Sequence, residues 1–505
     1  MRKRAKRARQ FLVVGSLVCA FVVSANAQTS SELPRRPEAI PFPALQFEPP
    51  RAQDYRQVIG ASGVPSYFAP SRELPLIRIS FVFRAGSYLD PADKVGLAEL
   101  TGDLLRRGGS RKRAPEVIDA RLDFLATELE IAADTESLEV SLDCLASTLD
   151  ESLALCFELL REPEFAEERL ELAKAESLEL MRQRNDDAGD ILEIEWGALA
   201  HGRTSFQGRV STVGDLERIT REDLRAFHRR FVHPKNLMIG AVGAFETAEL
   251  RTRLERAIEG WAAGEVPARP QADAPTWRPG LYHVEKDIPQ GKVALGLPAI
   301  GRGDPDEVPL LIMNNILGGG GFTSRLVGRV RSREGLAYSV GSDVTPGLWG
   351  PGEFRAEFQS KNNTVALALK IILEEIARLR SEPVSAEELA TAQNSYVETF
   401  PRNFESPAAM IELFLDDELT GRPGDWWTKL RDRIRAVTPA DVQRVAARHL
   451  DPAQLAILVV GAWNEIDPGD PAGRAKMSDV GGAKVVKLPL RDPLTQESIA
   501  PAAKP

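Results

Sequence analysis

In PLIRISFVFRAGS the residues Ile77, Ile79, Phe81 and Phe83 fall on every second position, which predicts a strand with one buried face. The period then lengthens. In ESLALCFELL and in TVALALKIILEEIARL apolar residues recur at helical spacing, and these predict amphipathic helices. LMIGAVG from Leu237 and LAILVVG from Leu455 are short continuous apolar runs of buried-strand length, each closed by a glycine.

These elements occur twice. ITREDLRAFHRRFVHPKNLMIGAVGAF, from Ile219, lies over VTPADVQRVAARHLDPAQLAILVVGAW, from Val437, without a gap at an offset of 218. In both, a threonine followed three residues later by an aspartate (Thr220 and Asp223, Thr438 and Asp441) is a capping box that opens a helix. Pro234 and Pro452 end those helices at matching places. EPEFAEERLELAKAESLEL from Glu162 lies over EPVSAEELATAQNSYVETF from Glu382 at an offset of 220. Both halves also open alike, PLIRISFVFRAGS corresponding to KVALGLPAI from Lys292. Two offsets so nearly equal over most of the chain predict a duplicated domain rather than a short-period solenoid. The expected architecture is α+β: two homologous domains, residues 45–261 and 281–465, each a sheet packed with helices. Residues 262–280 carry four prolines and read as a stiff linker, and 466–505 read as a flexible tail with no core of its own.

Composition adds the compartment and removes some partners. A chain of 505 residues with 43% hydrophobic content can bury more than one core. Its first ten residues carry six basic groups and no acid, followed by FLVVGSLVCAFVVS and the small-residue sequence ANA. This predicts a signal peptide, residues 1–27, cleaved near Ala27, and hence a periplasmic or secreted protein. The apolar run is shorter than the roughly 20 residues a bilayer span needs, so no membrane span is expected in the mature chain. Removing those six cations takes the net charge from −9 to −15, which argues against a nucleic-acid partner. Cys144 and Cys156 stand in apolar contexts and read as small buried hydrophobes.

The candidate chemistry lies in LGGGGFTSRLVGRVRSREGLAYSVGS. Its glycines are not a Walker loop, because Phe322 follows Gly321 where lysine and a hydroxyl would be needed, and the dinucleotide spacing is absent too. They read instead as the end of the helix LLIMNNIL and a tight turn before Ser324.

With the paired halves and the proline-bearing linker, this run resembles the insulinase-like zinc peptidases of family M16. The resemblance covers about residues 45 to 465. It implies domains of the LuxS and processing-peptidase type, two of which close like a clam shell around a peptide. Active relatives carry His-x-x-Glu-His after the first strand; here the matching residues are GLAELTGDLL, with Glu99 and Asp103 at the histidine positions and Gly102 at the glutamate. Glu176 matches the third ligand. Two histidines four apart grip zinc and the glutamate activates its water, so losing all three removes the peptidase chemistry. The isolated histidines elsewhere offer no metal spacing.

Arg331 and Tyr338, seven residues apart, match the family's substrate-binding pair, and Gly319, Gly320 and Gly321 match a loop that meets the peptide. A guanidinium and a phenol can donate to the carbonyls of a peptide laid as an added strand. The resemblance therefore implies a non-catalytic, substrate-binding subunit without a cofactor of its own. Its partner would be an M16-type catalytic chain bearing His-x-x-Glu-His and the zinc. Its ligands would be peptides, basic or flexible ones on the strength of the acidic surface. Two alternatives are a scaffold like the respiratory core subunits, and a hydrolase holding an unusual metal on Glu99, Asp103 and Glu176.

Overall fold

Five strands in each half repeat a single order. The computed structural model describes residues 47–264, 266–270, 276–480 and 484–499. The expected leader, and Glu265 and 271–275 of the expected linker, lie outside them. In the first half β1 (Arg56–Ile59), β2 (Val64–Pro70), β3 (Leu76–Phe83), β4 (Glu128–Ala133), β5 (Leu138–Leu145) and β6 (Leu237–Gly243) form a mixed sheet ordered β1-β2-β6-β3-β5-β4. In the second, β7 (Gly280–Glu285), β8 (Gln290–Pro298), β9 (Ala337–Thr345), β10 (Glu353–Lys361), β11 (Ala456–Gly461) and β12 (Val486–Leu488) are ordered β12-β7-β11-β8-β10-β9. The sheets differ only in the outer strand: β1 pairs antiparallel with β2, whereas β12, from the far end of the chain, pairs parallel with β7. The architecture is α+β, as the periodicities predict.

One face of the first sheet packs on helices of its own half. Ile77, Ile79, Phe81 and Phe83 point into that core, as their alternation requires. Val82 is buried too, because a helix covers the opposite face. That helix, Pro407–Thr420, comes from the second half and lays Met410, Ile411, Phe414 and Leu415 on Tyr67, Ala69, Val82 and Met238. Reciprocally, helix Ala188–His201 of the first half lays Ile191, Leu192 and Trp196 on Tyr282, Val284, Ala294 and Leu458 of the second sheet. Both ends of the two helices are offset by 219, so they are duplicates of each other, exchanged. Each exchanged side chain as large as Phe414 contributes about 1.5–3 kcal/mol by leaving water.

The contacts are close enough to shape the strands. A Cβ on Gly240 of β6 would meet Ile411 at 2.6 Å, and one on Gly296 of β8 would meet Trp196 at 3.0 Å. Trp196 Nε1 donates to Glu353 at 3.0 Å, and Tyr67 Oη to Glu418 at 2.6 Å, so the polar ends of both seams are satisfied.

The region read as a tail behaves differently from that expectation. β12 extends the second sheet, and Leu488 and Leu490 pack against the second core. The chain then crosses to the first half, where Arg491 Nε lies 3.3 Å from Glu195 and Leu494 O accepts from Val213 N at 2.9 Å. These residues borrow cores that already exist, which their own proline-rich composition does not reveal. Cys144 and Cys156 are free, buried thiols, with burial pushing Cys144 up to about 11. Among the described residues no helix is long and apolar enough to cross a membrane.

Candidate functional site

Helix Leu97–Arg107 carries the positions where the zinc ligands would stand. It follows Gly96, whose N–H, with that of Ala98, donates to the buried Asp90 at 2.8 Å. Burial nevertheless pushes the Asp90 carboxyl up to about 6. One turn separates Asp103 from Arg107, whose Nε and Nη2 donate to the two Asp103 oxygens at 2.6 Å each. The same Nη2 donates to Glu176 at 2.8 Å, and that bond holds the Glu176 carboxyl below its ordinary range. Asp103 and Glu176 are thus brought together, but on a guanidinium.

Glu99 does not join them. Its outer surface is exposed while the protein around it excludes enough water to raise its carboxyl, against a lowering by the Arg184 guanidinium. Gly102 is buried against the edge strand: a Cβ there would stand 3.1 Å from Ala133 N and 3.3 Å from the carbonyl carbon of Ala132. The room a glutamate would need is filled by β4. A cation already built into the chain, and no space for the general base, do not fit a zinc ion. Among the described residues no group of three or more His, Cys, Asp and Glu is placed to hold a metal. The Arg107 anchor was readable as an i,i+4 Asp–Arg pair within GDLLRR.

The second constellation is built on irregular backbone. Helix Glu307–Asn314 runs into a π-helical turn, Asn315–Gly319, and a second π-helical stretch, Val327–Arg333, carries Arg331. Such wide turns are rare and concentrate at functional sites. Gly318 lets the first turn lie on β9, since a Cβ would meet Ser342 N at 2.5 Å, and Gly321 turns the chain with φ +59°. Tyr338 sits on a β-bulge: between the pairs Phe358–Val340 and Ser360–Ala337, two residues of β9 face the single Gln359 of β10. A bulge re-aims side chains, and Tyr338 is 85% exposed.

Arg331 and Tyr338 meet, the guanidinium carbon 4.7 Å from the ring centre. Sequence reasoning missed Phe322 in this role. Its ring, 75% exposed, lies 4.8 Å from the same carbon. Of the glycines assigned to a peptide-contacting loop, Gly319 and Gly321 are exposed and Gly320 is half-buried. Arg331 and Tyr338 border a groove of about 750 Å³ shared with Lys361, Glu334, Gln359 and Arg474. The histidines are structural by contrast: His228 Nε2 donates to Leu160 O at 2.8 Å and His283 Nε2 donates to Gly461 O at 2.9 Å, both buried.

Residues 218–396 match the family model described as the peptidase M16 inactive domain. A non-peptidase homolog of Helicobacter pylori is 24% identical over 411 residues, 80% of this chain and 93% of its own length. An uncharacterized zinc protease of Streptomyces coelicolor is 26% identical over 346 residues, 67% of this chain and 75% of its own. Among solved structures, a peptidase M16 inactive domain from Pseudomonas fluorescens has a TM-score of 0.70 at 24% identity, covering 81% of this chain and 98% of its own. A chain of complex III2 from Candida albicans has a TM-score of 0.63 at 14% identity, covering 81% and 96%. The structural likenesses speak for the fold, and the family match assigns residues 218–396 to the inactive domain of the M16 peptidase family.

Proposed function

We propose that this chain is a non-catalytic, substrate-binding subunit of an exported M16 assembly, and that a second chain bearing His-x-x-Glu-His supplies the zinc and the general base. The observation that carries the reading is the Arg107 guanidinium between Asp103 and Glu176, combined with an Arg331–Tyr338 pair whose tyrosine stays open to solvent. An arginine bonded to both carboxylates replaces the electrostatic service of a metal without its Lewis acidity. The open pair keeps what peptide recognition needs, donors beside an accessible strand. The likeness to a non-peptidase homolog over most of both chains supports the same side of the division.

The test is a peptidase assay with added zinc on the purified chain, alone and co-purified with a motif-bearing M16 chain from the same genome. The chain alone should cleave no fluorogenic peptide, and the pair should cleave. Arg331→Ala should lower the pair's turnover at least tenfold without dissociating it. Cleavage by the isolated chain would refute the reading. A pair whose turnover ignores Arg331→Ala would make this chain a scaffold instead.

A further inference from the structure

Arg331 is the centre of a clamp rather than one half of a pair. Two rings from separate elements, Phe322 in the turn after the glycines and Tyr338 on β9, lie within 4.8 Å of its guanidinium carbon, although both remain largely in solvent. Aromatic rings held in this way attract a cation through their faces without neutralising it. The guanidinium has no side-chain hydrogen-bond acceptor and no carboxylate partner among the described residues, in a protein where most neighbouring arginines have one. Arg325 is bonded to Glu388, Arg329 to Glu374 and Glu375, and Arg474 to Glu334 and Asp470.

The groove beside the clamp has the opposite charge from the chain as a whole. Arg331, Lys361 and Arg474 stand against the single carboxylate Glu334, which Arg474 already occupies, and Lys361 also lacks a carboxylate partner among the described residues. The net charge of −9 therefore misleads about what this groove accepts.

We infer that the groove takes a peptide carrying an acidic side chain, whose carboxylate is held by Arg331 between Phe322 and Tyr338, with Lys361 as the second cation. The inference rests on the peptide-binding reading above and names the class of peptide. A planar carboxylate matches the guanidinium fork edge-on, and the two rings fix that fork in one orientation. Basic peptides, favoured by the overall charge, are rejected here.

Three fluorescein-labelled twelve-residue peptides, identical but for Glu, Gln or Lys at one central position, decide it by fluorescence anisotropy with the full chain. The Glu peptide should bind about tenfold more tightly than the Gln peptide, and the Lys peptide most weakly. Arg331→Gln should bring the Glu-to-Gln ratio to about one, and an unchanged urea unfolding midpoint shows that the variant is folded. Phe322→Ala should lower the ratio part of the way. Equal binding of all three peptides would overturn the carboxylate inference and leave peptide binding standing. Binding of none would overturn both.

Discussion

Arg107 holds Asp103 through a two-bond fork, Nε and Nη2 each 2.6 Å from one carboxylate oxygen, and so locks together two residues of one helix turn. Where active relatives would present ligands, this helix presents a finished ion pair whose remaining reach extends to Glu176. Reintroducing ligands therefore has to displace an internal cation.

Restoring the motif by Glu99→His, Gly102→Glu and Asp103→His together should give no peptidase activity in the isolated chain. Gly102→Glu alone should destabilise it, because its Cβ meets the backbone of β4 at 3.1 Å and the strand has to yield. Overpacking of this kind costs about 1–3 kcal/mol. A fluorogenic peptide assay with added zinc, and urea unfolding followed by circular dichroism, check the two statements.

His228 sets an acid limit. Burial lowers its pKa from 6.5 to about 4, with Arg229 and Arg111 acting in the same direction. Between those values the unfolded chain binds the proton and the folded chain does not. Its contribution is therefore complete above pH 6.5 and declines as pH falls toward 4, by up to about 3 kcal/mol. His228→Gln should flatten the fall in unfolding midpoint over that window, measured by urea titration at half-unit steps.

The exchanged helices should unfold as parts of a single cooperative event. Trp196→Ala and Phe414→Ala remove side chains that are 2% and 1% exposed, each at a cost of about 3–5 kcal/mol. Calorimetry should record one transition, moved down by either substitution. Two transitions, with each variant moving only one of them, would mean that the halves melt separately.

Much of this fold was legible because its signals are local. The offset of 218 aligned two capping boxes, and in the structure Thr220 and Thr438 each accept from the aspartate N–H three residues on. β3 declared its buried face by alternation. β2 did not, since Pro65 and Pro70 punctuate it and Ser66 is buried among its apolar residues. The exchange was invisible: AGDILEIEWGALAH reads as one more amphipathic helix, and the sheet it covers begins at Gly280. At the site, loss of the ligands could be read residue by residue. The salt bridge from Arg107 to Glu176 spans 69 positions, and the clamp around Arg331 depends on π-helical turns and a bulge that no residue pattern announces.

The crossing of helices Ala188–His201 and Pro407–Thr420 also decides where this polypeptide can gape. Prising the two sheets apart would pull Trp196 and Phe414 out of the surfaces they cover and flood both seams at once. Among the described residues the two halves are clasped through these helices like two hands. What the second sheet leaves open is its margin at β9, where the bulge at Tyr338 faces solvent.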